Sequence, residues 1–112
     1  SFIIVRDIRE SCLKVHSLES WQAFVEPIQK MPRAQSEKIL LFLYRDAVTA
    51  EPDSQGRILI PPTLREYAEL KKDVTVIGMI DHVEIWDSAK WKAYNDSADT
   101  EEIAEMMDLL GV

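Results

Sequence analysis

Two stretches of the chain share one alternation of apolar and polar positions. In the first, Ile4 and Val5 lead through a polar run to Leu13 and Val15, which alternate with Lys14 and His16; Trp21, Phe24, Val25 and Ile28 follow at helical spacing. In the second, Val76 and Ile77 lead through Asp81 and His82 to Val83 and Ile85, which alternate with Glu84, and then to Trp91 and Tyr94. Period two followed by period 3.6 predicts a strand, a polar turn, a second strand and a helix in each copy, with one residue of slack in the turn. Trp21 then matches Trp91 and Phe24 matches Tyr94, and the helices open on Ser17 and on Asp87-Ser88, residue types that cap helix N-termini. The aromatic residues are expected to pack on their own sheet rather than hold a ligand. Residues 47–73 precede the second copy and have no counterpart before the first, so the repeat predicts that a matching front half belongs ahead of Ser1.

Between the copies, Pro32 suits the first turn of a helix, and residues 33–46 contain good helix formers around the apolar run 39–44, which predicts a mostly buried helix. After the second copy, Asp99 caps a predicted helix with Glu102 reaching back. Ile103, Met106 and Leu110 share its face and Gly111 stops it. Residues 47–62 predict a strand, a tight turn from Asp53 to Gly56, and a second strand ended by Pro61 and Pro62. Asp53 can hold the turn through its carboxylate and Gly56 can relieve its exit, so Asp-x-x-Gly alone implies only a hairpin. Arg57 follows directly, Ile58 and Ile60 alternate inward, and residues 63–68 predict a short helix with Leu64 and Tyr67 as its apolar face.

With 112 residues, 46% of them hydrophobic, the chain can bury one core of one or two small modules. Its longest apolar run is far short of the roughly 20 residues of a membrane-spanning helix, and no signal-peptide pattern opens it. Cys12 is the single cysteine, which excludes an intrachain disulfide and a multi-cysteine zinc site, suits a cytoplasmic location, and predicts a small packed hydrophobe. The net charge of −7 argues against nucleic acid until its distribution is considered. Five acids and no bases lie from Ser97 onward, and setting them aside leaves −2 on the rest. Within residues 27–46, Lys30, Arg33, Lys38 and Arg45 outnumber Glu37 and Asp46, so a DNA-facing surface is compatible with the charge.

Nothing in the chain spells out catalysis. His16 and His82 have no Cys or His at metal-ligand spacing, and no nucleophile elbow, phosphate-cradling glycine loop or paired-carboxylate motif is present. Lys71 and Lys72 fit a solvated helix end. The expectation is a protein that is not an enzyme, with no cofactor, no metal, no small-molecule substrate and no membrane partner.

The order Asp53-Ser54-Gln55-Gly56-Arg57-Ile58-Leu59-Ile60-Pro61-Pro62, continued by Leu64-Arg65, resembles the Asp-x-x-Gly-Arg-x-x-x-Pro signature of the AbrB superfamily. Leu64-Arg65-Glu66-Tyr67-Ala68-Glu69-Leu70, followed by Val76-Ile77-Gly78 and Val83-Glu84-Ile85-Trp86, narrows the resemblance to the second repeat of the MraZ family. This implies an α+β fold of tandem AbrB-like swapped-hairpin β-barrel repeats with connecting helices. The parts would be an incomplete first repeat (1–26), a linking helix region (27–46), a second repeat (47–96) and an acidic C-terminal helix (97–112). The resemblance further implies a cytoplasmic, nucleoid-associated transcriptional regulator of the bacterial division and cell-wall gene cluster, a ring-shaped homo-oligomer that reads tandem promoter repeats. Asp53 and Arg57 would be its DNA-binding residues and Gly56 its turn residue. The family carries one such motif in each repeat, and this chain contains the second. A ring-forming interaction scaffold without direct DNA contact is the alternative, and an AbrB-type antitoxin a third.

Overall fold

A computed structural model describes residues 1–112. The first copy forms β1 (Phe2–Arg6), β2 (Leu13–Ser17) and α1 (Leu18–Gln29); α2 (Arg33–Tyr44), β3 (Val48–Ala50) and α3 (Pro62–Tyr67) intervene. The second copy forms β4 (Val74–Gly78), β5 (Val83–Asp87) and α4 (Ser88–Asp96), and α5 (Thr100–Leu110) ends the chain. The fold is α+β, with one antiparallel sheet in the order β3-β1-β2-β5-β4. Ser17 accepts from the Ser20 backbone N–H at 3.0 Å and Asp87 from that of Lys90 at 3.3 Å, so both helices start on the residues the repeat picks out. The turn holds residues 7–12 in the first copy and 79–82 in the second, two residues of slack rather than one. Asp7 accounts for the longer turn: it accepts from the Arg9 backbone N–H and from the Cys12 thiol, and stands 3.9 Å from Lys14.

The two copies meet through their second strands. Leu13 pairs with Ile85, Lys14 with Glu84, and Val15 with Val83. Because Lys14 and Glu84 occupy the same place in their copies, the pairing is that of an internal two-fold passing between them. β3, which precedes the second copy in sequence, pairs instead with β1 of the first, Phe2 opposite Ala50 and Ile4 opposite Val48.

Strand alternation sends each β residue to one of two cores. Ile4, Leu13 and Ile85 join Ala50, Leu64 and Ala68 on one face, with Ile58 and Ile60 packed against them. Val5 joins Trp21, Val25 and Leu43 on the other. Cys12 is fully buried, and that burial, reinforced by the Asp7 carboxylate, pushes its thiol up to about 12, so it is an inert packing residue. Arg6 is buried as a strap, donating to the Phe42 carbonyl with its guanidinium 4.0 Å above the Phe42 ring.

Two further expectations are corrected. α2 is not mostly buried: only Ser36 and Leu43 are, while Leu41 is 71% exposed. Consecutive apolar residues turn 100° per step around a helix, and α2 has a packing partner on one side only. Residues 57–61 do not form a second strand. Ile58 and Ile60 lie on the core as the alternation implies, but no strand of the chain lies alongside to complete a ladder.

Burial also creates a pH response. The His16 ring is almost fully enclosed, its Nδ1 paired with Ser20 Oγ at 2.8 Å and its Nε2 without a partner. Burial first, then the neighbouring His82, holds its pKa below the usual histidine value, with Asp81 opposing and Lys14 reinforcing the shift. As pH falls through about 6.5 the unfolded chain takes the proton first, so stability is expected to decline until His16 titrates in the folded state as well. Urea midpoints at neutral and mildly acidic pH check this; His16→Phe should flatten the dependence, and a flat profile for the parent chain contradicts it.

Candidate nucleic-acid interface

The turn after β3 is built by one carboxylate. Asp53 Oδ1 accepts from the backbone N–H of Gln55 at 2.8 Å and of Arg57 at 2.9 Å. The Asp53 N–H donates to the Arg57 carbonyl at 2.8 Å, and the Gly56 N–H donates to the Asp53 carbonyl at 3.0 Å. Gly56 sits at φ +79°, in the left-handed region where a side chain is strained, which explains glycine at the exit of the turn. Asp53, Gly56 and Arg57 are thus brought into one rigid loop, as their spacing predicts.

The second carboxylate oxygen holds the cation. Arg57 Nε donates to Asp53 Oδ2 at 2.9 Å, while the Arg57 side chain stays 72% exposed. The backbone N–H of Arg57, then that of Gln55, then the Arg57 side chain hold the Asp53 carboxyl below its usual range, so it is ionised at neutral pH. The terminal Nη groups of Arg57 make no hydrogen bond within the chain. A guanidinium oriented through Nε with free Nη donors can fork onto a phosphate or onto a guanine edge.

Behind the loop, residues 57–61 are anchored by Ile58 and Ile60, and α3 follows with Leu64 fully buried. The Tyr67 hydroxyl donates to the Asp7 carbonyl, tying α3 to the first hairpin. The Arg57 site therefore rests on packing from both copies.

The basic excess in residues 27–46 is partly neutralised within its own helices. Lys30 pairs with Glu26 at 3.2 Å and Arg33 with Glu37 at 2.9 Å, whereas Lys38 and Arg45 form no ion pair. Lys71 and Lys72 are exposed and the Lys71 N–H donates to Asp87 at 3.2 Å, fitting a solvated segment. Sequence separation hid one contact: the rings of His16 and His82 stack at 5.4 Å across the β2–β5 seam. His82 is engaged by Asp81 and Glu84, and no set of three or more His, Cys, Asp or Glu is arranged to hold a metal ion. Only the register of strand pairing could have revealed that contact. No helix is long and apolar enough to cross a membrane.

Comparison with known proteins converges on one family. Residues 43–110 match the model of a family described as "MraZ protein, putative antitoxin-like". The chain is similar to the transcriptional regulator MraZ of Acetivibrio thermocellus, 39% identical over 99% of this chain and 80% of that protein. It is also similar to the transcriptional regulator MraZ of Clostridium tetani, 36% identical over 100% of this chain and 80% of that protein. A third relative of the same name, from Caldanaerobacter subterraneus subsp. tengcongensis, is 40% identical over 96% of this chain and 77% of its own length.

Proposed function

Because the chain belongs to the MraZ family, with relatives named as transcriptional regulators, we propose that it is a DNA-binding regulator and not an enzyme, reading promoter DNA through the Asp53–Arg57 loop. The carrying observation is the exposed Arg57 guanidinium held through Nε by an ionised Asp53. In this reading the chain contributes a second AbrB-like repeat over residues 47–96, acts in the cytoplasm at the nucleoid, and binds tandem promoter repeats of the division and cell-wall gene cluster as a ring of identical copies. The crossing of β3 onto the first copy supports a swapped-hairpin architecture. A single Arg loop on an acidic chain binds weakly, and a ring placing several such loops on repeated half-sites gains affinity through avidity.

The test is binding to tandem-repeat promoter DNA at two salt concentrations. Arg57→Ala is expected to cost about 1–3 kcal/mol, roughly 5- to 150-fold in affinity, and to make the salt dependence shallower by about one counterion. Asp53→Asn should weaken binding through loss of the Nε contact and keep the salt slope. Binding by Arg57→Ala equal to the parent chain retires the Arg57 assignment. The acidic α5, with no buried residue, favours a second reading, an assembly scaffold without direct DNA contact. Salt-insensitive self-association with no DNA shift selects that reading instead.

A further inference from the structure

Helix α5 carries Ile103, Met106, Met107 and Leu110 at i, i+3, i+4 and i+7, a single stripe, and all four are exposed, Leu110 at 79%. Glu101, Glu102, Glu105 and Asp108 lie off this stripe, together with the exposed Leu109, and none of the four acids forms an ion pair within the chain. Asp99 caps α5 and Gly111 ends it in the left-handed conformation, so its limits are well defined. Yet a helix of 11 residues with no buried side chain lacks the packing that normally sustains one of that length, since isolated helices under about 12–15 residues are marginal in water.

The complementary surface lies on the first copy. α1 and α2 enclose an open groove of about 730 Å³ whose apolar floor includes Ala23, Phe24, Pro27, Ile28, Ile39 and Phe42. Arg9 and Lys38 stand at its rim, both exposed and neither in an ion pair. Phe24, Ile28, Ile39 and Phe42 also pack against the Trp21 core, so the floor is shaped by the fold. We propose that α5 of a second copy of this chain docks in the α1–α2 groove, its Ile103–Met107 stripe on the apolar floor and its carboxylates beside Arg9 and Lys38. Acidic helix and basic rim are opposite in sign, and each supplies what the other lacks within one chain. Groove and helix are different surfaces, so the contact is head to tail: a docked pair keeps one free groove and one free helix, and the contact closes into a ring where the rotation permits. It deepens the assembly part of the regulator reading and rests on that part alone.

Two defective chains test it: one with Met106→Asp and Met107→Asp in α5, the other with Ala23→Glu in the groove. All three positions are exposed, so both should fold, and far-UV circular dichroism and urea melts verify this. In sedimentation velocity over the micromolar range, the intact chain should assemble, and more weakly at high salt. Each variant alone should self-associate at least ~10-fold more weakly, as expected for a loss of about 1.4 kcal/mol or more. Their mixture should form a one-to-one dimer and nothing larger, since it offers one intact groove and one intact helix. An intact chain that stays monomeric, variants that assemble like the parent, or a mixture without the dimer each overturn the contact. Arg57-dependent DNA binding by a monomeric chain would retire the contact and leave the regulator reading; the expected assembly without DNA binding would do the reverse.

Discussion

Trp21→Ala is expected to lower the unfolding free energy by about 3–5 kcal/mol, the range for removing a large buried aromatic ring, whereas Trp91→Ala at the matching position should cost only about 1 kcal/mol. Trp21 is 5% exposed, donates from Nε1 to the Tyr44 hydroxyl at 2.8 Å, and meets the rings of Phe24 and His16. Its replacement leaves a cavity bounded by Val5, Val25 and Leu43, and removes the tie between α1 and α2. Trp91 touches Trp86 and Tyr94, but α4 has no buried residue and Tyr94 is 48% exposed. The difference has one cause: α2 covers α1, and no helix of the chain covers α4 in the same way. Urea titrations of both variants, at concentrations where the chain is monomeric, give the comparison. Equal costs would mean that the two copies are equally enclosed, contrary to the packing described.

Leu64→Ala should be nearly as damaging, about 2–5 kcal/mol, and should reach the Asp53–Arg57 loop as well. Leu64 is fully buried among Ile4, Leu13, Ala50, Ala68 and Ile85, the cluster on which Ile58 and Ile60 also rest. Residues 57–61 have no ladder to hold them, so their order depends on that cluster, and a void beneath it should loosen the base of the Arg57 loop. Hydrogen exchange should show faster exchange through this segment, and the proposed promoter binding should weaken even though Arg57 itself is unchanged. A loss under about 1 kcal/mol with unchanged protection would show that the site collapses onto the cavity and that the loop is held by Asp53 alone.

Much of the local architecture could be read from residue order. The tryptophan spacing and the capping residues Ser17 and Asp87 marked both strand-strand-helix copies, and the caps form as the spacing implies. Asp53, Gly56 and Arg57 were legible because a carboxylate that holds its own turn acts within five residues, and such contacts survive in any tertiary setting. Asp99 and Gly111 bounded α5 for the same reason. The run 39–44 was misleading because apolar density implies burial only when partners exist on every side, and α2 has them on one. Residues 57–61 were misleading because alternation predicts a strand wherever a ladder is available, and none lies beside them.

Residue order by itself therefore determined the α+β class, the duplicated unit, the helix limits and the Asp53–Arg57 loop, since each depends on interactions between near neighbours in the chain. Tertiary structure alone decided that the copies join through Lys14 and Glu84, that β3 crosses to β1, that His16 meets His82, and that an apolar groove with a basic rim opens between α1 and α2. Those features join residues many positions apart, and no periodicity along the chain encodes which strand or helix will be adjacent. That choice is made by the burial of both sheet faces at once, a property of the assembled layers rather than of any segment.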